Sequence, residues 1–244
     1  MVRNKILERV RAGEKALGVL MLDPSEMMVE LAGRMGLDFV LFDGQHWPLT
    51  AQRLGTLCAI ADGFSITPIM RLADQSESTI LSSLDKGVRL IIVPNVQTKE
   101  EAGALVQYAY FAPVGMRSAT SKRTVFGMEA GGRSELYEQV NANTMVVPQL
   151  EHIKVLENVE EILSIDGIDY FEPGFEDQAQ SMGLPGQADR SVVHDAWAEC
   201  TKKVRAAGKH LLADHIEILD TFASVRKDAQ ALLEKHGRTS QLAF

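Results

Sequence analysis

The chain of 244 residues has only two cysteines, Cys58 and Cys200. That count leaves no room for a disulfide framework or a cysteine-built zinc site, and a reducing, cytoplasmic setting is the expectation. No apolar run approaches the ~20 residues that a membrane-spanning helix needs. No basic start leads into an apolar stretch with a small-residue cleavage site. Positive charge is also in deficit, with 25 Lys and Arg against 33 Asp and Glu and a formal charge of −8. That balance argues against nonspecific nucleic-acid binding and against an anionic membrane surface. A small anionic substrate stays compatible, because one local arginine or cation outweighs a diffuse global charge. A glycine-rich turn is missing after the first predicted strand, where residues 18–23 read Gly-Val-Leu-Met-Leu-Asp. An open doubly wound dinucleotide-binding sheet is therefore disfavoured. Internal repeats and low-complexity segments are absent as well.

What is present is an alternation of short apolar runs and longer helical stretches. Strands are predicted at Ala16 to Leu22, Phe39 to Phe42, Ile66 to Met70, Leu90 to Val93, Thr144 to Leu150, Ile168 to Phe171 and Leu211 to Ala213. Helices are predicted between them, with Gly36, Gly87, Gly208 and Gly237 as stops. A last helix runs from Thr221 to Lys235, and the tail Ser240 to Phe244 is the candidate for an eighth strand. Two segments break the rhythm as loops: 115–133, with Arg117, Lys122 and Arg123, and 173–190. Loops of that length in a compact domain are often functional. Strand–helix alternation over this length predicts one domain, 1–244, folded as a parallel (β/α)₈ TIM barrel with an atypical or truncated C-terminal end. Trp47, Trp197 and the methionines Met21, Met27, Met28 and Met35 are read as packing residues.

In a parallel barrel the chemistry gathers at the C-terminal ends of the strands. There the sequence offers Asp43-Gly44-Gln45-His46, then Arg71, then Gln149-Leu150-Glu151, then Gly174-Phe175-Glu176-Asp177. Carboxylates without nearby cysteine suit a hard divalent cation, Mg²⁺ or Mn²⁺ and also Co²⁺. Glu151 and Asp177 are the candidate ligands, with Glu172 and Glu176 competing for the second place. Both candidates equally suit the start of a helix. Such a cation would polarise a chelating 2-oxo acid, Arg71 would hold its keto oxygen, and His46 would move a proton, with Asp43 orienting the ring. His152 follows Glu151 at the rim or opens the next helix. His194, His210, His215 and His236 are read as structural or solvated.

Several stretches together resemble one family. Phe42-Asp43-Gly44-Gln45-His46-Trp47-Pro48 resembles the D-x-E-H-x-P signature of the HpcH/HpaI aldolases, with Gln45 where the family usually has Glu. Met70-Arg71, Asp85-Lys86-Gly87 with 92–98, 110–117, Gln149-Leu150-Glu151 and Gly174 to Asp177 with Met182-Gly183 follow in the family's order. The similarity spans roughly residues 5–210. It implies a pyruvate-type barrel and a homo-oligomer, from dimer to hexamer. It implies a cation on Glu151 and Asp177 and an oxo acid, pyruvate or oxaloacetate, among Arg71, Gln149, Glu176 and Asp177. Catalysis would fall to His46, Arg71 and Asp43. The expected reaction is class II aldol cleavage or formation of 2-oxo-4-hydroxy acids through a pyruvate enolate, with an aldehyde or another acceptor. The alternatives are a condensing enzyme using the same enolate and a catalytically silent barrel used for binding. Phe175-Glu176 replaces the family's usual Pro-small pair, and the sequence departs most after Lys209.

Overall fold

The computed structural model describes residues 3–47, 49–119 and 132–240. Lys122, Arg123, Pro48 and most of the Ser240 to Phe244 tail lie outside the described residues. The strands are β1 (Ala16–Met21), β2 (Phe39–Asp43), β3 (Thr67–Arg71), β4 (Leu90–Val93), β5 (Met145–Leu150), β6 (Tyr170–Pro173), β7 (His210–Leu211) and β8 (Ile216–Asp220). The helices are α1 (Lys5–Arg11), α2 (Glu26–Arg34), α3 (Ala51–Gly63), α4 (Glu77–Lys86), α5 (Lys99–Ala109), α6 (Arg133–Asn143), α7 (Val155–Leu163), α8 (Phe175–Ser181), α9 (Ser191–Ala206) and α10 (Thr221–Lys235).

The strands form one parallel sheet in the order β7-β6-β5-β4-β3-β2-β1-β8. Side chains alternate across a strand, and this sheet uses both faces. Phe39, Leu41, Ile69, Leu90, Ile92, Met145, Val147 and Ile216 pack into one inner apolar cluster. Their neighbours Val40, Phe42, Met70, Ile91, Val93 and Val146 face the opposite way into the larger cluster under the helices. The inner cluster draws on strands from both ends of the order, so the sheet curls around it. Gly18 makes room for this interior, since a Cβ there would lie 2.3 Å from the Phe39 ring. α1 closes the floor. Ile6 is fully buried in the inner cluster. The Asn4 side-chain oxygen caps the helix by accepting from the Ile6 and Leu7 N–H groups, at 3.0 and 3.4 Å. Its amide nitrogen donates to the Asn143 carbonyl across the floor at 3.1 Å.

The curl stops short of a closed ring. Among the described residues no ladder joins β7 to β8. A 3₁₀ turn, Leu212–Asp214, touches both β6 and β8 at that seam. The His215 carbonyl accepts from the Ala16 N–H at 2.9 Å and leads the chain into β8.

This corrects the expected C-terminal end. The eighth strand is Ile216–Asp220, ahead of the last helix, and it pairs with β1 over Ala16↔Ile216 to Leu20↔Asp220. The element missing from the alternation is the helix between β7 and β8. Those two strands do not pair with each other, so the crossover that a parallel pair demands is not needed, and the turn suffices. The segment 173–190, expected as loop, contains α8, and α1 lies in a segment that carried no assignment. Two packing expectations also change. Trp197 is buried, but Trp47 is exposed. Met21 is buried, whereas Met27 and Met35 stand exposed with Leu31 in one row along α2. No helix is long and apolar enough to cross a membrane among the described residues.

Candidate active site

The polar residues continue the inner parity of the strands. Asp43, Arg71 and Gln149 each stand two residues past an inner apolar side chain, Leu41, Ile69 and Val147. The sheet therefore changes from an apolar interior to a charged mouth within one layer.

Asp43 and Arg71 lie side by side, as Cα partners in the β2–β3 ladder. The Arg71 guanidinium grips the Asp43 carboxylate with two donors, Nε to Oδ1 at 3.0 Å and Nη2 to Oδ2. Asp43 Oδ1 also accepts the backbone N–H groups of Gln45 and His46, at 2.9 and 3.4 Å. Burial pushes this carboxyl up, and the guanidinium and loop N–H groups together hold it below the ordinary aspartate value. The described bonds of Asp43 thus fix Arg71 and the backbone of the 44–46 loop. None reaches the His46 imidazole, so the expected ring-orienting contact is not made. His46 itself is exposed.

Glu151 is the most constrained acid. It is only 3% exposed. Its Oε1 accepts the Asn95 N–H at 2.7 Å. Asn95 can offer that N–H because it sits at φ 59, in the left-handed region that Asn tolerates. Gln75 holds the same loop, donating from Nε2 to the Pro94 and Asn95 carbonyls at 3.1 and 2.7 Å. Gly174 lies against the other side of the carboxylate. A Cβ at Gly174 would fall 2.0 Å from Glu151 Oε2. Burial, then the charge of Asp177, pushes Glu151 up to about 7, against the pull of the Asn95 N–H and Arg71.

An open cavity of about 250 Å³ sits above Glu151, lined by Gln45, Asn95, Glu151, His152, Asp177, Gln180 and Ser181. It brings Glu151 and Asp177 together in one lining. Glu176, on the exposed first turn of α8, and His46 are not among its lining residues. His152, whose Nδ1 accepts the Lys154 N–H at 3.2 Å, is in the lining instead. Gln180 and Ser181 were not singled out from sequence, and Asn95 entered only as part of the 92–98 stretch that resembles the family. Glu172, the competing candidate for the second ligand place, is likewise not among the lining residues. It occupies the inner face of β6, where burial pushes it up to about 7 against the attraction of Arg71 and with the repulsion of Glu151.

No group of three or more His, Cys, Asp or Glu side chains is arranged to hold a metal ion among the described residues. The donors present still suit a hard divalent cation. They are carboxylate oxygens, and Glu151 and Asp177 repel each other without a cation between them. Mg²⁺ is commonly held by only one or two carboxylates with water completing its shell.

Two motifs prove architectural. Arg117, buried, donates from Nη2 to Asp85 at 2.7 Å and stacks over Phe111 at 4.8 Å. A Cβ at Gly115 would meet the Val106 carbonyl at 2.3 Å. These residues pin the start of the long loop and stand apart from the cavity lining.

A family profile described as HpcH/HpaI aldolase/citrate lyase matches residues 18–244. The 2-keto-3-deoxy-L-rhamnonate aldolase of Escherichia coli (strain K12) is 31% identical over 210 residues, covering 86% of this chain and 78% of that protein. Its counterpart in Salmonella gallinarum (strain 287/91 / NCTC 13346) is 32% identical over 211 residues, covering 86% and 78%. Among solved structures, citrate synthase SbnG superposes with a TM-score of 0.83 at 24% identity, covering 97% of this chain and 98% of that one. An HpcH/HpaI aldolase from Desulfitobacterium hafniense DCB-2 superposes with 0.84 at 17% identity, covering 98% of each. Both likenesses carry the fold. An acid-lined mouth on a curled parallel α/β sheet, with named aldolases as relatives, makes this chain a lyase of the aldolase class. It belongs to the HpcH/HpaI aldolase/citrate lyase family.

Two predictions follow from this geometry. Gly174→Ala forces Glu151 out of its place, and a displacement of about 1 Å at a reacting centre costs about 100-fold in rate. Turnover should fall by that order with the circular dichroism spectrum retained; wild-type turnover would show that the carboxylate position does not matter. The second concerns pH. Glu151 and Glu172 have folded-state pKa values near 7, above that of an unfolded glutamate. The folded chain therefore binds more protons than the unfolded chain between those values. This contribution to stability is fully present below the unfolded pKa and is lost as pH rises through about 7. In the presence of a chelator the urea midpoint should decline from pH 5 to pH 7.5, and Glu172→Gln should flatten the decline.

Proposed function

We propose that this chain is a class II aldolase that cleaves or forms 2-oxo-4-hydroxy acids through a pyruvate enolate, on a pyruvate-type (β/α)₈ barrel that lacks one helix. The observation that carries the reading is the setting of Glu151: a buried carboxylate, fixed by the Asn95 N–H and the bare Gly174, beside Asp177 and within the field of Arg71.

Glu151 and Asp177 would hold the divalent cation, Mg²⁺ or Mn²⁺. When bound, it supplies Lewis-acid polarisation of the oxo acid's oxygens. The remaining work falls to the protein. Arg71, held rigid by Asp43, aims its charge at the developing negative oxygen without reorganising. Asp43 is a positioning residue: it fixes the guanidinium and the 44–46 backbone. Gln149 forms the inner wall beside the oxo acid. His46 stands at the exposed rim, where an imidazole can exchange a proton with the acceptor end of the substrate. Gln45, in the cavity lining, contributes an amide in place of the carboxylate usual in the family, so one fewer charge repels the oxo acid there.

The condensing alternative uses the same residues up to the enolate, and likeness to a citrate synthase carries the fold alone. A panel pairing pyruvate or oxaloacetate with aldehydes and with acyl-CoA separates the two. A silent barrel has no need of a buried carboxylate beside a clamped arginine.

The first test is exchange of the pyruvate C3 protons in D₂O, followed by NMR. Exchange should require Mg²⁺ or Mn²⁺ and stop on chelation; no exchange with any divalent metal rejects the reading. His46→Ala should slow aldol turnover by about 10²–10⁴-fold, the usual worth of a positioned acid or base.

The chain is also proposed to work as a homo-oligomer. Two exposed apolar rows support this: Met27, Leu31 and Met35 on α2, and Phe222, Val225 and Leu232 on α10, a helix with no buried residue. Monomeric proteins seldom expose contiguous patches of this kind. Light scattering should give a multiple of 26.8 kDa, and a monomer mass would reject the assembly.

A further inference from the structure

At the opposite end of the sheet from Glu151, two histidines meet where the strands begin. His210 opens β7 and is the Cα partner of Tyr170, the first residue of β6. His215 lies between the Leu212–Asp214 turn and the start of β8. The two imidazole rings stand 5.1 Å apart between centroids, at 85° to each other. The Tyr170 ring lies against both, with centroids 5.4 Å from His210 and 5.5 Å from His215. The backbone of each histidine is tied down. The His210 N–H donates to the Asp169 carbonyl and the His215 N–H to the Leu212 carbonyl, both at 2.9 Å. Among the described residues no hydrogen bond reaches the nitrogens of either ring.

Paired imidazoles with uncommitted nitrogens are the donor set of a borderline transition metal, whereas Mg²⁺ takes oxygen ligands. Zn²⁺ held tetrahedrally by two imidazole nitrogens at about 2.0–2.1 Å sets the ring centroids about 5 Å apart. The pair already has that spacing. His210 is exposed and His215 half-buried, so solvent reaches the rings and water can complete the shell. Asp214, next to His215 in the chain, is held by Arg205 at 2.9 and 3.1 Å. Its carboxylate is therefore committed elsewhere, and the protein ligands are the two rings. Burial, then the neighbouring His210, lowers the proton affinity of His215, with Lys15 adding to that push and Asp214 opposing it. The His215 ring is thereby kept in the neutral form that a metal requires.

We propose that His210 and His215 form a transition-metal site of the Zn²⁺ type at the floor end of the seam, separate from the acidic mouth. One histidine precedes the Leu212–Asp214 turn and the other follows it, so a bound cation cross-links the two sides of that turn. It joins β7, which pairs with β6, to β8, which pairs with β1. Among the described residues no ladder closes that gap. The role is structural: the cation binds the native arrangement of the seam and stabilises it. Lys15 faces His215 with like charge, which weakens the site and makes both imidazoles necessary to it. The site is independent of the enolate reading.

The experiment is a calorimetric titration of the full chain with Zn²⁺ at pH 7.5, with Mg²⁺ kept saturating to occupy the acidic mouth. His210→Phe and His215→Phe are titrated alongside, since each keeps a ring in the cluster and removes its nitrogens. Thermal melts of the same three proteins, with and without Zn²⁺, give a second readout. Either substitution should remove one Zn²⁺ per chain from the binding that the wild type shows. The wild-type Tm should rise by about 3 °C or more once free Zn²⁺ exceeds its dissociation constant about ten-fold, and the rise should vanish in both variants. Absence of Zn²⁺ binding by the wild-type chain overturns the proposal. Binding that is equal in the wild type and both variants overturns it as well, because it assigns the cation to other donors. Should one variant fail to fold by circular dichroism, the other carries the comparison.

Discussion

Four carboxylates crowd one guanidinium at the mouth of the sheet, and the organisation of the site is set by that imbalance. Asp43 takes Arg71 for itself through two donors. Glu151 and Glu172 then lie in the field of an arginine already engaged, and burial drives both upward. Asp177 adds further negative charge. A site built this way is under-neutralised, and bringing in an anionic oxo acid would worsen it unless a cation came too. The same imbalance explains why the loop after β4 is so closely controlled. The Asn95 N–H is a fixed neutral donor to Glu151, kept in place by a left-handed residue and by Gln75. It stabilises the carboxylate without competing with a cation for charge.

The constraint reaches into the scaffold. An inner ladder that is apolar at one layer and charged at the next needs strands in strict register, because a slip of one residue would send Asp43 and Arg71 to the helix side. Register is secured below by Phe39 fitting against Gly18, and by α1 and Asn4 across the floor. It is secured behind by the Asp85–Arg117 pair, which ties the end of α4 to the loop after α5. Residues that look like active-site signatures in the sequence are thus divided between chemistry and support, and burial with partner identity is what separates the two.

Much of the arrangement was legible in the chain. Strand ends could be read because buried parallel strands are short apolar runs that stop at polar residues, and Arg71, Gln149 and Glu151 follow such runs directly. The meeting of Glu151 with Asp177 came from the barrel rule. Other features were not legible, for physical reasons. β8 reads Ile-Glu-Ile-Leu-Asp, an ambiguous five-residue pattern, and the expectation of a helix before every strand hid it. α1 has seven residues, too few for periodicity to register. Asp43 was assigned to the His46 ring because a spacing of three suggests proximity; its side chain instead turns along the ladder to Arg71, which no local pattern encodes. Glu172 sits in Tyr-Phe-Glu-Pro, where alternation alone cannot say whether an acid faces the interior.

The seam between β7 and β8 gives the molecule the mechanics of a split ring. Eight ladders closed in a circle fix the circumference, because no strand can shift without breaking a hydrogen bond on one side or the other. The seven ladders among the described residues, with one gap, leave the circumference free to adjust at the gap, with the Leu212–Asp214 turn as the hinge. β1 lies one strand from that gap and β6 one strand from its other lip. The strand carrying Glu172 therefore belongs to the compliant part of the wall, while Asp43 and Arg71 stand on the strands farther inside the continuous sheet. The Asp43–Arg71 clamp is mounted on the stiff part of the ring, and the wall that carries Glu172 is mounted near its opening.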